Sequence, residues 1–103
     1  MSRVEKLLEM METSGKDSFL QHALALEYIK IGNDEDARKL FSELLFREPG
    51  YVGSYYHLGK LLERAGDAEG AIRTYRLGME EAKKAGDKHS YNELQGVLED
   101  LED

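Results

Sequence analysis

Apolar residues recur along this chain at spacings of three and four, and no stretch alternates apolar and polar positions long enough to read as a strand. The pattern predicts six helices. Val4, Leu7, Leu8 and Met11 share one face of the first, which Ser2 and Glu5 open as a capping box and Ser14-Gly15 closes. Asp17 caps a second helix carrying Leu20, Leu24, Tyr28 and Ile31, and Gly32 ends it in the left-handed position after the C-cap. Asn33 caps a third, with Ala37, Leu40, Phe41, Leu44 and Leu45, before the break at Pro49-Gly50. The fourth carries Tyr55, Leu58, Leu61, Leu62 and Ala65 and stops at Gly66. Asp67 caps the fifth, with Ala71, Ile72, Tyr75 and Met79, which runs to Ala85. Gly86 ends it, and Asp87 caps a sixth with Tyr91, Leu94, Leu98 and Leu101. Links of two to four residues between such helices force antiparallel neighbours.

The punctuation repeats. A shift of 34 residues places Gly32 on Gly66, Asn33 on Asp67, Ala37 on Ala71 and Phe41 on Tyr75. The same shift places Leu24 on Leu58, Ala25 on Gly59 and Tyr28 on Leu62. A shift of 36 places Tyr55 on Tyr91, Leu58 on Leu94 and Leu62 on Leu98, so the sixth helix reads as half a further repeat. A fixed period of this size signals a helical solenoid.

Two stretches then match one pattern. Residues 52–85 give Tyr55-x2-Leu58-Gly59-x2-Leu62, Gly66-Asp67 and Ala71-x3-Tyr75. Residues 18–51 give Gln21-x2-Leu24-Ala25-x2-Tyr28, Gly32-Asn33, Ala37-x3-Phe41 and Pro49. This resembles the tetratricopeptide repeat family. The departures are Gln21 at the first aromatic position, Leu62 at the second, and Lys83 where a proline closes the repeat. The expectation is an all-α, antiparallel helix-turn-helix solenoid in a single domain over 1–103. It comprises an N-terminal capping helix (1–15), two repeats (18–51 and 52–85) and a C-terminal half-repeat (87–102). Small residues at Ala25, Ala37, Gly59 and Ala71 let the paired helices approach, and Phe41 and Tyr75 are expected to fill the space between successive repeats. The two end helices act as lids on faces that a short solenoid would otherwise leave wet.

Composition narrows the function. The net charge of −7 argues against nucleic acid and anionic membranes as main partners. Most of it is local: residues 86–103 set Lys88 against six acids, which reads as a solubilising end that frays against the helix dipole. No apolar run is long enough to span a membrane, and Met1-Ser2-Arg3-Val4-Glu5-Lys6 has no apolar signal core, so the cytoplasm is the expected compartment. With no cysteine there is no disulfide framework and no thiolate nucleophile. His22, His57 and His89 show no metal-ligand spacing, the ten glycines sit singly, and no serine occupies a nucleophile elbow. Neither catalytic residues, metal nor cofactor is expected, and the chain is not expected to be an enzyme.

What remains is a binding surface. In the family that the chain resembles, the first helix of each repeat lines a concave groove that takes a peptide. The resemblance places Phe19, His22, Leu26 and Ile29 of the second helix there, with Tyr56, Lys60 and Glu63 of the fourth and His89 and Asn92 of the sixth. The competing expectation for the apolar members is cover by the N-terminal helix. The family's chaperone-binding branch holds a peptide carboxylate with lysines, asparagines and an arginine. The matching positions here are His22, Leu26, His57, His89 and Glu93, and none fits. The expectation is therefore an adaptor that binds a protein or peptide other than a chaperone tail. A self-associating structural module, a homodimer without a peptide ligand, is the competing reading.

Overall fold

The computed structural model describes residues 1–15 and 17–102. It contains α1 (Arg3–Ser14), α2 (Ser18–Lys30), α3 (Asp34–Arg47), α4 (Gly53–Arg64), α5 (Ala68–Ala85) and α6 (Lys88–Glu102), and no strand among the described residues. These are the six helices expected. They fall into two compact units, Met1–Glu48 with α1–α3 and Pro49–Asp103 with α4–α6.

Local chemistry accounts for the helix ends. At the α2–α3 turn Gly32 takes φ 84°, which a side chain would oppose. Its N–H donates to Ile29 O at 3.0 Å, and the Asn33 N–H donates to Tyr28 O at 2.8 Å. Two carbonyls left over by α2 are thereby satisfied. Asn33 then caps α3, its Oδ1 accepting from the Asp36 N–H at 3.3 Å. The α4–α5 turn repeats the arrangement 34 residues on, with Gly66 at φ 83° and the Asp67 Oδ1 accepting from the Gly70 N–H at 2.8 Å. Two residues thus end one helix and start the next. Asp17 and Asp87 cap α2 and α6 in the same way. The Ser90 N–H and hydroxyl both donate to the Asp87 carboxyl and hold it below the usual carboxylate range.

In the first unit, Leu7, Leu20 and Leu24 form a buried cluster against which Val4, Met11, Ala23, Tyr28 and Leu40 pack. Ala25, Ala37 and Phe41 are fully buried beside it. Two expected stripe members lie outside. Leu8 is 42% exposed, because the seam of α1 runs along Val4, Leu7 and Met11. Ile31 is 63% exposed because α2 ends at Lys30 and Ile31 is already its C-cap.

The second unit is built on two close approaches of backbone to side chain. A Cβ at Gly59 would lie 2.1 Å from the Tyr75 ring. The Tyr75 ring thus seats on α4, the helix with which α5 forms a hairpin. A Cβ at Gly78 would lie 2.6 Å from Tyr55 Cβ and 2.8 Å from Leu94 Cδ1, so Gly78 is where α5 meets both α4 and α6. Tyr55 also secures the start of the unit, its hydroxyl donating to Pro49 O at 2.6 Å.

Candidate functional site

The residues expected on the binding face divide between the two units. In the first, α2 carries Phe19, His22, Leu26 and Ile29 at spacings of three and four, one stripe along the helix. Phe19 is 69% exposed, so the N-terminal helix does not cover it. Leu26 and Ile29 are half-buried. His22 meets Phe41 in a T-shaped pair, with centroids 5.5 Å apart and planes at 70°, which anchors it to the core of the α2–α3 pair.

In the second unit the structure joins three of the expected residues. Tyr56, Lys60 and Glu63 follow one another at four and three positions on α4. The Lys60 ammonium stands 5.9 Å from the centre of the Tyr56 ring, within cation–π range, and 3.6 Å from the Glu63 carboxylate. Tyr56 also meets His57 edge-to-face at 5.5 Å. His89 and Asn92 are exposed on α6. Asn92 borders an open cavity of about 320 Å³ walled by Ala82, Lys83, Lys88 and Tyr91.

The Tyr75 phenol was not among the expected residues. Its hydroxyl donates to the Glu63 carboxylate, and burial followed by that carboxylate pushes its ionisation well above the ordinary phenol range. The signal was present in the repeat register. Tyr75 and Glu63 of the second repeat correspond to Phe41 and Ile29 of the first, so the phenol and its acceptor are present together or absent together. Glu63 is held between Tyr75 and Lys60, and Lys60 is partly neutralised before any ligand arrives.

His57 is the second residue that sequence reasoning left out of the site. Burial lowers its pKa, and Glu93 offsets this in part. A group whose folded pKa is depressed favours the fold above its unfolded pKa and loses that contribution as pH falls below about 6.5. The melting temperature is expected to drop between pH 7.5 and pH 5 by an increment that His57→Gln lacks; identical pH profiles would remove His57 as its source.

Among the described residues, no group of three or more histidines or carboxylates is placed to hold a metal ion, and no helix is long and apolar enough to cross a membrane. Capped helical hairpins repeating at 34 residues, with an aromatic–charged face on the first helix of a pair, define a helical-repeat interaction module. Comparison with known proteins sharpens this. No family model matches the chain. A TPR repeat-containing protein of Pseudomonas aeruginosa is 27% identical over 99 residues, covering 96% of this chain and 94% of that protein. The crystal structure of a tetratricopeptide repeat domain protein from Salinibacter ruber is 44% identical, covers 84% of this chain and 97% of that one, and superposes with a TM-score of 0.82. The solution structure of a Bordetella parapertussis protein is 27% identical, covers 98% and 88% respectively, and has a TM-score of 0.84. The chain belongs to the tetratricopeptide repeat family, whose fold serves generally as a protein–protein interaction module.

Proposed function

We propose that this protein is an adaptor that binds a partner protein or peptide, with Tyr56 of α4 at the energetic centre of the contact. The observation that carries this reading is the Tyr56–Lys60–Glu63 group. A half-buried aromatic ring is held in place by a cation, which a carboxylate holds in turn. Such a ring contributes large contact area at low entropic cost, and interface energy concentrates in residues of this kind. Lys60 orients a carbonyl or carboxylate of the ligand, weakened in that role by Glu63. His89 and Asn92 belong to the same reading as polar rim positions of the second unit. On the first unit, Phe19, Leu26 and Ile29 offer an apolar stripe of their own, with His22 beside it.

Tyr56→Ala should cost at least about 2 kcal/mol of binding, roughly 30-fold in affinity, with little change in melting temperature. Arg73→Ala, at an exposed position on α5, should cost almost nothing. A partner isolated from native cells is titrated into both variants, with thermal melts as the control. Binding abolished by Arg73→Ala and untouched by Tyr56→Ala would sink the assignment. Self-association in place of ligand binding would appear as a mass in light scattering that rises with concentration.

A further inference from the structure

The α2–α3 pair carries a second feature, away from the Tyr56 group. An open cavity of about 590 Å³ lies between the start of α2 and the end of α3, walled by Gln21, Ser42, Glu43, Phe46 and Arg47. Gln21 is only 3% exposed, and its side-chain oxygen has no hydrogen-bond partner. A buried acceptor left unpaired is costly, and native structures rarely leave one without a reason. The repeat register shows how it arose. The residue equivalent to Gln21 in the second repeat is Tyr55, whose ring packs against Gly78 and whose hydroxyl is satisfied by Pro49 O. In the first repeat a shorter amide stands in that place, and its oxygen is unmatched.

We propose that this cavity binds an arginine side chain presented by a basic segment of a partner protein. The walls specify the ligand. The Gln21 oxygen, sealed and without a donor in the free protein, gains one when the side chain turns into the cavity, while the Ser42 hydroxyl and the Glu43 carboxylate add further acceptors. Phe46 is 91% exposed and offers a ring face to a cation. Arg47, a cation in the wall, is engaged by the Ser18 hydroxyl at 2.7 Å. A guanidinium is planar, bears five donors, and stacks on aromatic rings while pairing with a carboxylate. It can therefore serve the amide oxygen, the carboxylate and the ring together, where a lysine ammonium is a single point of charge. Residues 1–48 carry seven bases against ten acids, and that surplus favours a basic partner at longer range.

The test uses the full chain, labelled with nitrogen-15, and the tripeptide acetyl-Gly-Arg-Gly-amide. Its neutral isostere with citrulline and its lysine counterpart are titrated in parallel. The arginine peptide should shift the Gln21 side-chain amide and the backbone signals of Ser42 and Phe46, the lysine peptide less, and the citrulline peptide not at all. Gln21→Met keeps the side-chain length and removes the acceptor; it should weaken binding at least about tenfold, as expected for losing a buried hydrogen bond to a charged group. Glu43→Gln and Phe46→Ala, both at exposed positions, should each weaken it about threefold and keep the test open if Gln21→Met does not fold. Equal shifts with citrulline would overturn the proposal, as would full affinity in Gln21→Met. So would no shift with any peptide, which would leave the Gln21 oxygen sealed and unserved, or shifts that follow protein concentration alone, which would make a second copy the occupant.

Discussion

A chain lacking residues 1–14 should melt well below the full-length protein and tend to aggregate. Leu7 is 2% exposed, and with Val4 and Met11 it closes the first unit over Leu20 and Leu24. Removing α1 wets both of those leucines, which are 7% and 1% exposed. At about 1.5–3 kcal/mol for each buried leucine, the loss is on the order of 3–6 kcal/mol, offset in part because twelve helical residues no longer have to be ordered. A domain has only about 5–15 kcal/mol in total. Leu7→Ala isolates the packing from the truncation and should cost about 2–5 kcal/mol. The Arg3–Glu27 ion pair at 3.5 Å is not the cause, because Arg3 is largely exposed and such pairs contribute less than about 1 kcal/mol. Arg3→Ala should therefore melt like the parent. An unchanged melting temperature on truncation would show that α1 is a detached tail.

Gly78→Leu should destabilise the second unit by about 3 kcal/mol or more, while Gly96→Leu should stabilise it slightly. Both glycines lie inside helices, α5 and α6, where glycine is a poor residue by about 1 kcal/mol. Their surroundings are opposite. The first carbon added at Gly78 would already stand 2.6 Å from Tyr55 Cβ, an atom tied to the α4 backbone, so α4 and α5 must separate. Overpacking of this kind costs about 1–3 kcal/mol and occasionally more, which exceeds the gain in helix propensity. At Gly96 nothing lies within 4 Å of an added Cβ, so the propensity gain of up to about 1 kcal/mol stands alone. Denaturant melts of the two variants decide the matter: loss in both would mean that Gly96 meets something the fold does not show, and gain in both would mean that the α4–α5–α6 junction is looser than drawn.

The helices, their ends and their 34-residue register were legible in the amino-acid order because they depend on chemistry within a few residues. Gly32 and Gly66 take positive φ, Asn33 and Asp67 cap the next helix, and apolar side chains recur at the helical period whatever they later touch. The family resemblance follows from the same local signals. Tyr56, Lys60 and Glu63 could be placed on one helix face for that reason too. Contacts between helices are a different matter, since residues distant in sequence must be brought to fractions of an ångström. Gly78 and Gly96 look alike along the chain, and only packing makes one a junction and the other open surface. Leu8 and Ile31 fit the apolar stripes and are exposed because the neighbouring helix, or the helix end, falls elsewhere. Only the folded chain pairs Tyr75 with Glu63, and only there does the Gln21 oxygen become an acceptor without a donor, because burial and hydrogen bonding are properties of atoms brought together across helices.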